Sequence, residues 1–452
     1  MPTGTNLDFA SARAVDLVQA LANRKVSSAE LCNEAIARIE SGDGPINAVV
    51  LRDFTRAREA ARAADAALAK GERRPLLGLP MTVKEAFDVK GLPTSWGMRE
   101  FGDYVASSDA VIVERLKAAG AVILGKTNVP VNLGDWQSDN PIYGRTNNPL
   151  DLTRTSGGSS GGSAAALAAG FVPLEFGSDI GGSIRVPAAF CGVFGHKPSH
   201  DLVPPRGHQP GGLPAMPLPL NVVGPLARSA ADLVLALEVT AGPDSDMAVG
   251  YRLALPPTRH KALGDYRVLV LDSHPLCPTS QEVAGAMERL AQWLSRQGVK
   301  VGRSSPLLPN LEQAQLAYIN LLGPIFNLTD PDFPTETTSR QWLEAIGLQA
   351  VMRRQWAELF REWDIVAAPA YGVTAFPHDA SPFAERIQVI DGVETSYQAQ
   401  IAWPALATFP HLPATSVPIA RTAAGLPIGA QLIGPYLEDL TTIHLAGLLE
   451  EV

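Results

Sequence analysis

Two Gly/Ser-rich stretches and one lysine are the residues in this sequence whose types and spacing could do chemistry. Residues 155–170 read TSGGSSGGSAAALAAG and residues 177–188 read GSDIGGSIRVPA, which places Ser159 and Ser183 24 positions apart. Upstream, Lys84 stands in the apolar run GLPMTVKEAFDV. A serine hydroxyl becomes a nucleophile when a neighbouring base takes its proton. A lysine can be that base if burial disfavours its ammonium form.

Taken alone, the 155–170 stretch has three other interpretations. A Gly/Ser tract is typical of a flexible linker, but strand and helix patterns continue on both sides of this one. A phosphate-binding loop needs a preceding strand and a lysine near its end, whereas TNNPLDLTRT is polar and the next lysine is Lys197. GSSGG also matches the nucleophile elbow G-x-S-x-G, with Ser160 as nucleophile. We expect no strand before it, and the downstream His378 and His411 have no distinguishing context.

The composition argues against several classes of function. The net charge is −9 and no basic run is present, so nucleic acid is not expected as a ligand. Cys32, Cys191 and Cys277 are scattered and the eight histidines form no metal motif, so we expect no disulfide framework, metal or cofactor. No run of 18 apolar residues and no basic, apolar leader is present, and we therefore expect a cytoplasmic protein without a membrane partner.

Strand and helix patterns alternate along the chain around these residues. They predict one α/β domain over residues 1–452, with a mixed sheet flanked by helices. Helical spacing of apolar residues recurs in 8–41, 53–71 and most of 310–362, and 109–128 reads as a helix, a glycine and a strand. Further strands are predicted at YRVLVLD, DIVAAPAY and PIGAQLIG, and a last helix at EDLTTIHLAGLLEE. The Pro/Gly-rich segments 205–221 and 369–383 are candidate substrate loops.

Several blocks, in order along most of the chain, carry a resemblance. They are GLPMTVKE, LGKTNVP, SGGSSGGSAAALAAG, GSDIGGSIRVPAAFCGVFGHKPS, NVVGPLARSAADL and GLPIGAQLIGPYLED. In these blocks the chain resembles the amidase signature family of serine hydrolases. The resemblance implies a single α/β domain around a large mixed sheet, which agrees with the element pattern. It also implies hydrolysis of an amide bond with a Ser–Ser–Lys triad and without histidine, aspartate or a cofactor.

The same resemblance assigns roles to individual residues. It makes Ser183 the nucleophile, Ser159 the bridging serine, preceded by a cis peptide bond, and Lys84 the base. The backbone N–H groups of Ile180, Gly181, Gly182 and Ser183 would form the oxyanion hole. The supporting residues would be Ser160, Asp179 and Arg185. We further expect substrate contacts from Leu133, Gly158, Leu213 and Met216, and structural roles for His196, His208 and Cys191.

The function predicted on this basis is hydrolysis of a small or medium amide with an apolar or aryl portion, by way of an acyl-enzyme. Carbamates and esters offer the same carbonyl group and are further expected substrates. One alternative is the ammonia-supplying A subunit of a glutamyl-tRNA amidotransferase, although the chain lacks the tyrosine-rich stretch and the basic patch expected for it. Another alternative is a non-enzymatic scaffold. The sequence is compatible with a homodimer.

Overall fold

The computed structural model of the chain describes residues 8–211, 213, 218–329 and 335–450. Helices alternate with strands through most of these ranges. The α-helices are α1 (Ala14–Ala22), α2 (Ser28–Gly42), α3 (Phe54–Ala69), α4 (Val111–Ala118), α5 (Gly161–Ala168), α6 (Arg185–Cys191), α7 (Ala230–Thr240), α8 (Gln281–Arg296), α9 (Leu311–Asn327), α10 (Ser339–Glu362), α11 (Ala402–Thr408) and α12 (Asp439–Leu448).

The strands belong to one large sheet, one sheet of three strands and three two-stranded ribbons. They are β1 (Val49–Arg52), β2 (Pro80–Lys84), β3 (Val122–Thr127), β4 (Asp139–Asn140), β5 (Gly144–Arg145), β6 (Asn147–Asn148), β7 (Asp151–Thr155), β8 (Leu174–Asp179), β9 (Phe194–Lys197), β10 (Val222–Ala227), β11 (Arg267–Val270), β12 (Lys300–Gly302), β13 (Ile365–Pro369), β14 (Ile387–Ile390), β15 (Val393–Ser396), β16 (Ala414–Arg421) and β17 (Pro427–Ile433).

The large sheet has eight strands in the order β12-β11-β13-β17-β16-β9-β10-β8. β12, β11 and β13 pair in parallel, and each remaining neighbour pairs antiparallel. The fold is therefore α/β with a mixed sheet, as the sequence predicts. Apolar side chains pack between the sheet and its helices and form the main core. Among the described residues, no helix is long and apolar enough to cross a bilayer.

The three-stranded sheet, in the order β1-β3-β2, positions the lysine. Every residue of β2 is buried, which is typical of a strand covered on both faces. Lys84 is the last residue of β2, and the strand lies beside β8, since the Thr82 hydroxyl donates a hydrogen bond to Glu175. The chain thereby brings the end of β2 to the end of β8, where the second Gly/Ser stretch begins.

The segment before the first Gly/Ser stretch corrects one expectation. We expected no strand there because its residues are polar, yet β7 pairs with β6 in a two-stranded ribbon and ends at Thr155. Such a ribbon is largely solvent-exposed and needs no apolar periodicity. The Ser160 side chain is nonetheless buried and donates to the Ser178 carbonyl, so it is not presented to a cavity as an elbow nucleophile would be.

Candidate active site

Lys84 reaches two hydroxyl groups from the end of β2. Its Nζ lies 2.6 Å from the Ser159 Oγ and 2.9 Å from the Ser178 Oγ, and its side chain is fully buried. Neither partner carries a charge. A buried ammonium with only neutral partners is poorly stabilised, so the environment favours proton loss.

Burial accordingly lowers the pKa of Lys84 to about 7, although the charges of Asp179, Glu85 and Glu175 act in the opposite direction. Burial also raises the pKa of the Glu175 carboxyl to about 8, and hydrogen bonds such as that from Thr82 only partly oppose this shift. A Glu175 that is largely protonated near neutral pH does little to hold Lys84 in its charged form. Lys84 can therefore take up and release a proton at neutral pH.

The first Gly/Ser stretch presents Ser159 to this lysine. The Gly158–Ser159 peptide bond is cis, and α5 begins two residues after Ser159. The neighbouring Ser160 connects the two stretches, because its N–H donates to the Ser183 carbonyl at 3.0 Å. Ser183 is 6% exposed and lines the adjoining cavity. Within the described part of the chain its hydroxyl has no hydrogen-bond partner, so it is available to a ligand.

The turn from Asp179 to Ser183 presents several backbone N–H groups. Gly182 has φ +90°, and a Cβ there would lie 2.7 Å from Pro404, so only glycine fits. We expected four oxyanion donors, but the Gly182 N–H donates to the Asp179 Oδ1 at 2.9 Å. The N–H groups of Ile180, Gly181 and Ser183 have no acceptor among the described residues. Three of the four expected donors are therefore free to bind an oxyanion. The fourth, the Gly182 N–H, is not, because it holds the turn to Asp179.

Two buried aromatic side chains bind the carbonyl groups of this turn. The Tyr318 hydroxyl donates to the Ile180 carbonyl at 2.8 Å, and the Trp136 Nε1 donates to the Gly181 carbonyl at 2.9 Å. In a planar trans peptide the N–H points away from the carbonyl of the same unit. Fixing these two carbonyls therefore fixes the direction of the Gly181 and Gly182 N–H groups.

Asp179 and Arg185 form a fully buried ion pair behind the turn. The Arg185 guanidinium binds both carboxylate oxygens, at 2.8 and 3.0 Å. Burial acts to raise the pKa of Asp179, but the charge and hydrogen bonds of Arg185 outweigh it and bring the pKa to about 2. Arg185 also donates to the side chains of Gln431 and Thr408 and to the Pro404 carbonyl, which satisfies its remaining three N–H groups. The pair stays ionised and anchors the turn to α11 and β17.

Ser183 lies where two chambers of the cavity meet. The small chamber has a volume of about 210 Å³, and the described residues 208–210, Leu213, Leu218 and Asn221 form part of its wall. The large chamber has a volume of about 690 Å³ and lies between α9, the start of α10 and the end of the 369–383 segment. The two chambers share the side chains of Leu133, Ile180, Ser183 and Phe326. A molecule bound at Ser183 can therefore extend in two directions.

The predicted substrate contacts fall into three groups. Leu133 lines both chambers and Leu213 lines the small one. Gly158 lines neither, because its Cα packs against the backbone of Asp135, where a Cβ would lie 2.2 Å from the carbonyl oxygen. Met216 lies outside the described residues.

Sequence reasoning missed Ser178, Trp136 and Tyr318. Ser178 stands in the quoted block GSDIGGS, and its position shortly before the nucleophile was the available signal. Trp136 and Tyr318 are 45 and 138 residues from the carbonyls they bind, so no local pattern could indicate them. His208, expected to be structural, lies on the wall of the small chamber. His196 is buried between Thr415 and Asp439.

Comparison with known proteins identifies the family. The model of the family described as Amidase matches residues 30–323 and 326–443. The chain is 35% identical to the A subunit of the glutamyl-tRNA(Gln) amidotransferase of Anaeromyxobacter sp. (strain K), over 95% of this chain and 94% of that protein. It is 34% identical to AtzE, the 1-carboxybiuret hydrolase subunit of Pseudomonas sp. (strain ADP), over 95% and 96%. A solved bacterial aryl acylamidase of the amidase signature family superposes with a TM-score of 0.84 at 25% identity, over 97% and 96%. The chain therefore belongs to the amidase signature family, whose members are serine hydrolases that cleave amide C–N bonds.

Proposed function

We propose that this protein hydrolyses uncharged amides with an apolar or aryl portion, through an acyl-enzyme on Ser183. The observation that carries the proposal is the buried Lys84, whose pKa is lowered by burial to about 7 and whose partners are the hydroxyls of Ser159 and Ser178. A base with a pKa near the working pH is the most effective one for general base catalysis.

In the proposed mechanism, neutral Lys84 accepts a proton from Ser159 while Ser159 accepts one from Ser183. The Ser183 Oγ attacks the amide carbon, and the developing oxyanion is bound by the N–H groups of Ile180, Gly181 and Ser183. The proton then returns through Ser159 to the leaving nitrogen as the C–N bond breaks. Water attacks the acyl-enzyme in the second half by the same proton route. The mechanism requires a hydrogen bond from Ser183 to Ser159, which is absent among the described residues. Catalytic hydrogen bonds often form fully only when substrate binds.

The charge of the cavity wall supports an uncharged substrate. No Lys or Arg side chain lines either chamber in the described part of the chain, and the undescribed residues 212, 214–217 and 330–334 contain none by sequence. Two acidic residues line the chambers within the described ranges: Asp135 is paired with Arg386, and Glu336 is exposed. A carboxylate on the substrate would therefore be desolvated without a cationic partner, which is costly.

This wall argues against the alternative of an ammonia-supplying amidotransferase component, because the carboxylate of free glutamine would have no cationic partner. The solved aryl acylamidase of the same family supports an aryl amide as the substrate class. Aryl carbamates and esters present the same carbonyl to the same N–H groups, and we propose them as additional substrates. Nothing in the triad would distinguish an amide from a carbamate.

Labelling and turnover together test the proposal. Purified wild-type protein should react with a fluorophosphonate probe, Ser183→Ala should not, and the label should map to Ser183. A panel of an aliphatic amide, an anilide, an aryl carbamate, an ester and glutamine should show turnover of the uncharged compounds and none of glutamine. Labelling of Ser183→Ala at the wild-type rate would contradict the nucleophile. If the wild-type protein were not labelled and turned over none of the panel, the scaffold alternative would be favoured instead.

A further inference from the structure

The two chambers differ in their contacts with the catalytic groups, and this difference orients the substrate. Ser159 and Ser178 line the small chamber and not the large one, whereas Gly181 lines the large chamber and not the small one. Ser183 lines both. Given the proposed function, the proton-relay side of the nucleophile faces the small chamber and the opposite side faces the large one.

We propose that the small chamber binds the leaving amine, as a neutral arylamine with one ring, and that the large chamber binds the acyl group. The carbon of the tetrahedral intermediate carries the Ser183 Oγ, the oxyanion, the leaving nitrogen and the acyl chain. Its nitrogen must receive the returning proton from Ser159 before the C–N bond breaks, so it lies on the small-chamber side. The acyl chain, on the remaining substituent, extends into the large chamber.

The size and walls of the small chamber define the amine. A cavity of about 150 Å³ accommodates benzene, so about 210 Å³ accommodates one aromatic ring with a small substituent. Trp96 and His208 form an aromatic wall, with their ring centroids 4.9 Å apart. Burial and the nearby Lys84 lower the pKa of His208 to about 3, so its imidazole stays uncharged. A fused two-ring amine would exceed this space, and a cationic substituent would lie near Lys84 without an anionic partner.

The large chamber is more than three times the volume of the small one, and α9 contributes Ile319, Leu322 and Phe326 to its wall. An unbranched acyl chain of medium length fits such a surface by apolar burial alone. The acyl group remains in this chamber after the amine has left. The two chambers therefore act at different steps, because during deacylation the large one still holds the acyl group while the small one holds only the attacking water.

Two bulky substitutions separate these steps. Leu213 in the small chamber and Ile319 in the large one are 37% and 42% exposed, so both positions should accept tryptophan without loss of folding. Leu213→Trp should lower kcat/KM for anilides by about 10- to 200-fold, the range for a methylene-scale misfit in a pocket. It should leave unchanged the deacylation rate of an octanoyl-enzyme formed from a phenyl ester. Ile319→Trp should alter that deacylation rate and shorten the longest acyl chain accepted.

Two substrate series give the matching readout. With the acyl group held as butyryl, turnover should continue from the primary amide to the anilide and fall at the naphthylamide. With aniline held as the amine, turnover should continue from acetyl to octanoyl. The chamber assignment would be overturned if turnover fell with longer acyl chains but not with the naphthylamide, or if Leu213→Trp changed the deacylation rate. Ser183 labelling would still support the proposed function in that case. Absence of both labelling and an acyl-enzyme would instead contradict the proposed function itself.

Discussion

Lys84 and Lys126 are two fully buried lysines on adjacent strands, yet their side chains have different hydrogen-bond partners. β2 and β3 pair in parallel, with Val83 opposite Lys126 and Lys84 opposite Thr127. Burial lowers the pKa of Lys126 to about 8 and that of Lys84 to about 7. A buried lysine with a lowered pKa therefore occurs more than once in this chain and does not by itself mark a base.

The partners of the two ammonium groups make the difference. Lys126 donates to the Pro93 carbonyl and to the Thr94 Oγ1, and it lines neither chamber. Lys84 donates to two serine hydroxyls that line the small chamber beside Ser183. The Pro93 carbonyl cannot pass on a proton, and the Thr94 hydroxyl lines neither chamber, whereas the two serine hydroxyls at Lys84 can give and accept a proton beside Ser183. The comparison teaches that proton-transferring partners at a cavity, rather than the pKa shift, distinguish a catalytic lysine from a structural one.

Replacing each lysine by methionine should produce the largest contrast. Lys84→Met should lower kcat for an anilide by about 10²–10⁴-fold, the usual contribution of general acid–base catalysis. Lys126→Met should keep kcat within a few-fold but lower the free energy of unfolding by about 1–3 kcal/mol, because the Pro93 carbonyl loses a buried partner. Urea unfolding and steady-state kinetics on both variants measure this. Equal loss of activity in two folded variants would remove the distinction.

Removing the side chains that hold the oxyanion turn should have the next largest effect. Tyr318→Phe deletes the donor to the Ile180 carbonyl, whose peptide carries the free Gly181 N–H, and should lower kcat about tenfold, less than loss of an oxyanion donor itself. Trp136→Phe acts on the peptide of the Gly182 N–H, which Asp179 already binds, and should lower kcat less. KM should change little in Tyr318→Phe, since Tyr318 lines neither chamber and the ground-state carbonyl depends less on the N–H groups, whereas Trp136 also lines the large chamber. Tyr371→Phe, another buried tyrosine, serves as the control. If KM rose while kcat held, the two residues would act on binding instead.

The second hydroxyl partner of Lys84 should matter less than the first. Ser178→Ala removes one hydrogen bond from Nζ, which corresponds to about 1 kcal/mol and hence to about a fivefold change in rate. Ser159→Ala should cost far more, because it interrupts the proton route. A single-turnover assay on an anilide compares the two. Equal losses of rate in the two variants would mean that Ser178 takes part in proton transfer as much as Ser159 does.

The smallest expected effect is electrostatic. Glu175→Gln removes a group whose charge raises the pKa of Lys84. The pH at which activity reaches half its maximum should therefore move to lower pH. The movement should be a fraction of a unit, because burial keeps the Glu175 carboxyl largely protonated below about pH 8. Profiles of kcat/KM against pH for the two proteins detect it, and a movement to higher pH would contradict the stated sign.

The sequence predicted the fold class and most of the elements, because apolar periodicity is a local property. The unit at 109–128 is observed as α4 and β3, and the strands at 365–369 and 427–433 are present. β7 was missed because its residues are polar and its pairing with β6 lies outside the main sheet. The hairpin of β14 and β15 was likewise not predicted.

The candidate site was predicted less evenly. Lys84, Ser159 and Ser183 stand in motifs, and the structure brings Lys84 to Ser159 and places both serines on one cavity. The roles of these residues remain proposals. Tyr318 and Trp136 could not be found from the sequence, because their partners lie far away along the chain. The Gly182 N–H could not be assigned to Asp179 for a different reason, since backbone N–H direction is set by φ and ψ.

The pH dependence of kcat/KM on an uncharged anilide tests the central claim most directly. Neither the substrate nor the Ser183 hydroxyl titrates between pH 5 and 9, whereas burial lowers the pKa of Lys84 to about 7, and the proposed mechanism requires this lysine to be neutral. Activity should therefore fall as pH decreases through about 7, with one proton taken up, and Lys126→Met should retain this limb. A profile that is flat from pH 5 to 9 in the wild-type protein would contradict the assignment of Lys84 as the base.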